Sequence, residues 1–90
     1  MDFNKFQDKC KELVAIYTNS KLDKTDGISI TTSDVYVVWY AKTLQNAKAL
    51  LSTTLPDGMY YEITYNGDKD ELYFDAYKKF ENFLHKEEDI

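Results

Sequence analysis

Two side chains in this sequence, Cys10 and His85, have the chemistry of a nucleophile or a general base. His85 is the sole histidine and is followed directly by Lys86 and Glu87. A general base needs an orienting partner and a protected site, whereas this setting predicts an exposed surface histidine. Cys10, the single cysteine, falls on the apolar stripe of a predicted helix, where a small buried hydrophobic residue is expected rather than a reactive thiolate. Neither residue therefore predicts catalysis.

No catalytic or cofactor motif accompanies these two residues. The chain has no GxSxG elbow, P-loop, dinucleotide fingerprint or CxxC pair. The segment from Asn66 to Glu71 carries several oxygen ligands, but it lacks the ligand ladder and the bidentate glutamate of a calcium loop. Its Asn-Gly pair is typical of a hairpin tip. We expect no enzymatic activity, no cofactor and no bound metal.

Composition restricts the class of partner. The chain has 90 residues, 43% hydrophobic and 16% aromatic, which suffices for one domain with a core. We expect that domain over residues 1–86 and an acidic tail over residues 87–90. The net charge is −5, and all 11 basic residues are lysine. Arginine is the usual residue for bidentate phosphate and guanine contacts, so the composition argues against a nucleic-acid-backbone binder.

Cysteine usage and hydropathy predict a compartment. A single cysteine excludes an internal disulfide and fits a reducing cytosol. The residues Met1 to Lys5 lead into an amphipathic pattern rather than a secretory apolar run. No stretch approaches the ~20 apolar residues of a membrane span. We expect a cytoplasmic protein without membrane association.

Periodicity predicts one helix followed by four strands. The helix ends between Asn19 and Leu22, and its apolar stripe has helical spacing: Phe3, Phe6, Cys10, Leu13, Val14 and Tyr17. Four alternating runs follow, Val35–Lys42, Ala47–Thr53, Met59–Tyr65 and Glu71–Tyr77. Turn sequences separate these runs, which predicts an antiparallel meander.

The period changes again near the end of the chain. Beyond Asp75, the residues Ala76, Phe80, Phe83 and Leu84 share one side at a 3.6-residue period. This predicts a short C-terminal helix, with Asp75 as its N-cap. The predicted fold class is α+β, with an N-terminal amphipathic helix, a four-stranded antiparallel meander and a short C-terminal helix.

The predicted registers assign side chains to two sheet faces. A four-residue loop at Asn66–Lys69 pairs Ile63 with Leu72 and Tyr61 with Phe74. A three-residue loop at Leu44–Asn46 sets Trp39 opposite Leu51, and a two-residue loop would exchange the two faces of that hairpin. With the first choice, both helices cover an apolar face: Val35, Val37, Trp39, Ala49, Leu51, Met59, Tyr61, Ile63, Leu72 and Phe74.

The other face has no third layer to cover it, and tyrosines concentrate there. Its candidate binding residues are Tyr36, Tyr40, Leu50, Tyr60, Glu62, Glu71, Tyr73 and Asp75. Tyrosine combines apolar area with a polar tip and is enriched at protein interfaces. A half-solvated sheet that uses tyrosine for its β-propensity is the simpler interpretation.

The charges on this face favour a protein partner over a nucleic acid. Acidic residues lie between the tyrosines and would repel a phosphate backbone. We expect a protein partner or a second copy of the chain. The alternative is a module that stacks single-stranded bases on Tyr36, Tyr40, Tyr60 and Tyr73.

Three segments carry a resemblance to a known family. They are residues 38–50, 57–69 and 73–82, and the first includes the run Lys42-Thr43-Leu44-Gln45-Asn46. The chain resembles small proteins from phages and prophages of low-GC Gram-positive bacteria that form a domain of unknown function. The resemblance brings no catalytic residues. It implies a phage accessory protein that acts in a bacterial cytoplasm, where we expect it to bind and modulate a host or phage protein of defence or replication.

Overall fold

The computed structural model describes residues 2–22 and 27–86. These residues form, in chain order, α1 (Phe3–Lys21), a 3₁₀ turn (Thr32–Asp34), β1 (Val35–Lys42), β2 (Asn46–Thr53), β3 (Met59–Asn66) and β4 (Glu71–Lys78). The strands make one antiparallel sheet in the order β1-β2-β3-β4. The predicted N-terminal helix and antiparallel meander are confirmed. The predicted acidic tail, residues 87–90, lies outside the described residues.

Helix α1 packs on one face of the sheet through a single stripe. Asp2 caps its first turn, since the Asp2 Oδ1 atom accepts a hydrogen bond from the Lys5 backbone N–H at 2.8 Å. Phe6, Cys10 and Val14 are buried, and their spacing of four residues keeps them on one side of the helix. The helix therefore covers one sheet face only.

The core lies between this stripe and the middle of the sheet. Ala49, Leu51 and Ile63 are almost fully buried there, beside the ring of Tyr61. The Thr18 hydroxyl donates a hydrogen bond to the Tyr61 hydroxyl at 3.3 Å, so the polar end of this buried ring is satisfied. Burial raises the pKa of Tyr61.

A side-chain amide fixes the end of α1 to the segment before β1. The Asn19 Nδ2 atom donates to the Ile30 carbonyl at 2.9 Å, and the Ile30 N–H donates to Asn19 Oδ1 at 2.8 Å. These two reciprocal bonds resemble those of a hydrogen-bonded residue pair in an antiparallel sheet. They fix the position of Ile30, in the segment that leads to β1, relative to α1.

A bulge in β1 reverses the predicted facing of its second half. Val37 pairs with Leu51, but the next pair is Trp39 with Leu50, so Val38 is an extra residue on its strand. A bulge of this kind shifts the alternation of side chains by one position. The prediction that Trp39 lies opposite Leu51 and beneath the helix is therefore wrong, and Trp39 is 42% exposed on the other face.

The β3–β4 hairpin is displaced by two residues from the predicted register. Ile63 pairs with Phe74 instead of Leu72, and Tyr61 pairs with Ala76. The displacement equals the side-chain period of a strand, so each residue stays on its predicted face. The loop accordingly runs over residues 67–70, and Asp70 adopts a left-handed backbone conformation with φ of 52°.

The segment after Asp75 forms a strand rather than the predicted helix. β4 continues to Lys78, and the Lys79 N–H donates to the Gly58 carbonyl at 2.8 Å. Residues 79–86 contain no helix. Phe80, Phe83 and Leu84 are 93%, 70% and 88% exposed, so the apolar stripe has no surface to pack against. An isolated helix of this length is marginal in water without such packing.

These facings predict opposite consequences for two large side chains of one hairpin. Leu51→Ala should lower the free energy of unfolding by about 2–5 kcal/mol, because it leaves a cavity in the core. Trp39→Ala should lower it by less than Leu51→Ala does, because Trp39 is 42% exposed and its removal leaves no enclosed cavity. Urea unfolding followed by circular dichroism measures both. A loss at Trp39 equal to that at Leu51 would contradict the observed facing.

Candidate functional site: the open face of the sheet

The sheet face opposite α1 is covered by no helix or strand of residues 2–22 and 27–86. We call it the open face, and its apolar and aromatic side chains are Tyr36, Val38, Trp39, Leu50, Tyr60, Tyr73 and Tyr77. Tyr36, Tyr73 and Tyr77 are 48%, 53% and 52% exposed. Several half-exposed aromatic side chains therefore share this one face of the sheet.

Most of the predicted binding residues come together on this face. Alternation along β1 to β4 places there Tyr36, Leu50, Tyr60, Glu62, Glu71, Tyr73 and Asp75. Sequence reasoning placed Trp39 on this face only in its alternative of a two-residue loop for the first hairpin. That loop is the one observed, since the Thr43 N–H donates to the Asn46 carbonyl and Trp39 pairs with Leu50. Sequence reasoning missed Tyr77. The bulge gave no sequence signal, but continued alternation from Tyr73 through Asp75 would have found Tyr77.

Tyr40 is the exception, because the bulge turns it toward the helix. Its ring lies edge-on to Phe3, with 4.1 Å between ring centroids, and 6.0 Å from the ring of Phe6. Its hydroxyl oxygen is buried and has no hydrogen-bond partner among the described residues. The prediction that Tyr40 belongs to the binding face is wrong.

A row of four residues crosses the middle of the open face. The registers align Trp39, Leu50, Glu62 and Asp75 from β1 to β4. Glu62 and Asp75 are directly opposed, and like charges in that position destabilise a sheet. Lys48 offsets part of this repulsion, since its Nζ atom lies 3.4 Å from Glu62 Oε1. The two carboxylates thus lie side by side next to an aromatic surface.

A further carboxylate lies at the β4 end of the face. The Tyr73 hydroxyl donates a hydrogen bond to Glu71 Oε2 at 2.7 Å, and this bond raises the pKa of Tyr73. Because a charge-assisted hydrogen bond restricts both side chains, Glu71 is held beside the aromatic surface. The face therefore carries carboxylates both in its middle row and at its β4 edge, beside exposed aromatic side chains.

The residues with nucleophile or base chemistry lie outside this surface. Cys10 is fully buried, and burial raises the pKa of its thiol to about 12. His85 is exposed, with its ring 6.2 Å from that of Phe83. Both residues lie where the sequence predicted them.

The acidic hairpin tip is organised by its own hydrogen bonds. Asn66 Oδ1 accepts from the backbone N–H of Asp68 at 3.1 Å, and Asp70 Oδ1 accepts from the Tyr65 hydroxyl at 2.9 Å. These oxygens are used within the turn, as expected for the predicted hairpin tip. Across residues 2–22 and 27–86, no group of three or more His, Cys, Asp or Glu side chains is arranged to hold a metal ion.

A protein-family model matches this chain over most of its length. Residues 7–87 match the model of a family described as Family of unknown function (DUF6275). The chain belongs to this family. The match takes in most of α1 and all four strands, so the open face lies wholly within it. No curated protein and no solved structure matches the chain significantly.

Hydropathy gives one further property of the described chain. Within residues 2–22 and 27–86, α1 is too polar to cross a membrane and no other helix is long enough.

The unpartnered hydroxyl of Tyr40 leads to a stability prediction. Tyr40→Phe should leave the free energy of unfolding unchanged or raise it by about 1 kcal/mol, because it removes a buried polar group that has no partner. Tyr61→Phe should lower it by about 1 kcal/mol, since it breaks the bond with Thr18. Chemical unfolding of both variants makes the comparison, and a marked loss in Tyr40→Phe would show that its hydroxyl is bonded in solution.

The burial of Cys10 leads to a pH prediction. Its pKa is about 12 in the folded protein against an ordinary value of 9.0. Above pH 9 the unfolded chain loses a proton that the folded chain keeps, so this contribution to stability is complete below pH 9 and falls as the pH rises toward 12. Relative to Cys10→Ala, the wild type should lose about 1.4 kcal/mol by pH 10. Parallel stability profiles from pH 8 to 10 would contradict the burial of the thiol.

Proposed function

We propose that this chain is a non-catalytic accessory protein that binds another protein through the open face. The observation that carries the proposal is the row Trp39-Leu50-Glu62-Asp75, in which exposed aromatic area adjoins two opposed carboxylates. Protein interfaces are enriched in aromatic side chains. A solvated sheet face accounts for tyrosines of high β-propensity, but it does not account for two carboxylates placed directly opposite each other.

The opposed carboxylates indicate the chemistry of the partner. A lysine or arginine placed between Glu62 and Asp75 would remove their mutual repulsion, which Lys48 offsets from one side only. The aromatic side chains Trp39 and Tyr73 would then contact the apolar part of the same partner. We therefore propose a partner whose contact surface is basic with an apolar centre.

The family resemblance supplies the biological setting of the proposal. The resemblance to small phage and prophage proteins of low-GC Gram-positive bacteria implies an accessory protein inside a bacterial host cell. We propose accordingly that the partner is a host or phage protein of the bacterial cytoplasm, such as a defence or replication component, and that binding modulates it.

A photo-crosslinking experiment identifies the partner and tests the face at the same time. A photoreactive residue at Trp39 or at Tyr73 should give one specific adduct in host cells. The control is the same residue at Ile28, which is 52% exposed but lies in the segment before the 3₁₀ turn, outside the sheet. Adducts formed only from Ile28 would move the binding surface away from the sheet and refute the proposal.

The affinity for the identified partner gives a second test. Trp39→Ser should weaken binding by about 30-fold, which corresponds to the ~2 kcal/mol of a central interface aromatic. Glu62→Gln should mainly slow association and reduce its dependence on salt. Ile28→Ser should leave the affinity unchanged, because Ile28 lies outside the sheet. Calorimetry measures the affinities, and stopped-flow fluorescence measures the association rates. Equal effects at Trp39 and Ile28 would exclude a specific face.

Single-stranded nucleic acid is the alternative occupant. It would stack bases on the exposed aromatic residues, but the pair Glu62 and Asp75 would lie against its phosphates. An oligonucleotide titration followed by Trp39 fluorescence distinguishes a nucleic-acid ligand from a protein partner. Binding that weakens steeply with salt would favour nucleic acid.

A further inference from the structure

The outer edge of β4 is a second unpartnered surface. β4 pairs with β3 on one side, and no strand among the described residues pairs with its other side. β4 has eight residues, no proline and no bulge. A long regular edge of this kind presents a row of free backbone donors and acceptors.

The backbone groups at this edge can be assigned residue by residue. The Lys79 N–H donates to the Gly58 carbonyl, so Lys79 faces β3. Backbone groups alternate along an antiparallel strand. It follows that the N–H and C=O groups of Leu72, Phe74, Ala76 and Lys78 point away from β3.

The opposite edge of the sheet is less suited to pairing. β1 carries the bulge at Val38, which interrupts its regular spacing. Bulges are among the features that protect an edge from pairing with another chain. Of the two edges, only that of β4 is regular along its whole length.

The helix side of β4 is also incompletely covered. A shallow groove of about 320 Å³ runs between α1 and β4 and is lined by Leu13, Ile16, Tyr17, Ser20 and Phe74. Ile16 is exposed and Phe74 only half-buried, although α1 buries the same side of β2 and β3. An additional layer of chain beside β4 would cover these side chains.

We propose that two copies of this chain pair antiparallel through β4, with Phe74 opposite itself on a two-fold axis. Antiparallel pairing of identical strands about such an axis keeps the two open faces on the same side and places one residue opposite itself. Phe74, Leu72 and Ala76 would then exchange roughly six main-chain hydrogen bonds with the second copy. This pairing does not depend on the partner proposed for the open face.

Charge selects this register over its neighbours. With Phe74 on the axis, Lys78 lies opposite Asp70 of the second copy, and Tyr73 lies opposite the second copy's Asp75. With Tyr73 on the axis, Glu71 would oppose Asp75, and with Asp75 on the axis two aspartates would oppose each other. Directly opposed like charges destabilise a sheet, whereas opposite charges stabilise it. Only the Phe74 register avoids a like-charge pair among the three.

A disulfide experiment tests the register. Chains carrying Tyr73→Cys and chains carrying Asp75→Cys, each with Cys10→Ala, are oxidised mildly, separately and as a mixture. In the proposed register these two positions form a non-hydrogen-bonded pair with Cα atoms about 4.5 Å apart, which is within disulfide range. A cross-linked dimer should appear in the mixture and in neither variant alone. Cross-linking of one variant with itself would overturn the register.

Sedimentation tests the pairing itself with a matched pair of proline variants. The wild type should show a concentration-dependent mass above the 10.6 kDa of one chain. Ala76→Pro removes an outward N–H of β4 and should raise the dimer dissociation constant about tenfold or more. Lys42→Pro removes an outward N–H of β1, because Thr43 donates to the Asn46 carbonyl and so faces β2, and it should leave the dimer intact.

Three results would overturn the proposal. They are a mass of one chain at every concentration, a dimer lost in Lys42→Pro but kept in Ala76→Pro, and a dimer abolished by Trp39→Ser. Circular dichroism of each variant confirms that the sheet is retained. Should Ala76→Pro fail to fold, the charge variant Lys78→Glu serves in its place and should weaken the dimer.

Discussion

A sheet has two faces, and residues 2–22 and 27–86 form one α-helix to cover them. Every apolar residue that α1 can reach lies on one side, where Phe6, Cys10 and Val14 meet Leu51 and Ile63. The rest of the architecture follows from this constraint. The uncovered side must tolerate water, and tyrosine does so because its ring has β-propensity and its hydroxyl remains solvated. The mixed chemistry of the open face is thus a consequence of a single-layer cover.

Alternation was sufficient to assign the faces of β2, β3 and β4, but not that of β1. In β2 to β4, charged residues such as Lys48, Glu62 and Glu71 alternate with apolar ones, so only one facing is possible. The run Val37-Val38-Trp39-Tyr40 contains no charge, and either facing buries a large aromatic residue. The packing of Tyr40 against Phe3 and Phe6 favours the facing in which Tyr40 is turned toward α1 and Trp39 toward the open face. That is a tertiary contact, which alternation within one strand cannot reveal.

The C-terminal part of the chain shows two periods in competition. Phe80, Phe83 and Leu84 fit a helical period, while Tyr73, Asp75 and Tyr77 fit a strand period. The strand prevails through Lys78 because β3 offers a hydrogen-bonding edge up to Gly58. A helix there would have needed an apolar surface beside β4, and the groove next to Ile16 is only partly enclosed. Sequence periodicity shows that a segment could form an amphipathic helix, but it does not show whether the folded protein offers an apolar surface for that helix to pack on.

The open face and the edge of β4 share the same residues, which connects the two proposals. Tyr73 and Asp75 lie on the open face and also beside the free edge. The carboxylates of Glu71 and Asp75 would disfavour, by repulsion, pairing with Tyr73 or Asp75 on the axis. In the Phe74 register, Tyr73 of each copy would lie next to Asp75 of the other. The aromatic strip would then continue across the two-fold axis, and two open faces would form a single surface of about twice the width. A partner that spans this surface would contact both copies at once, so partner binding and pairing through β4 would each favour the other.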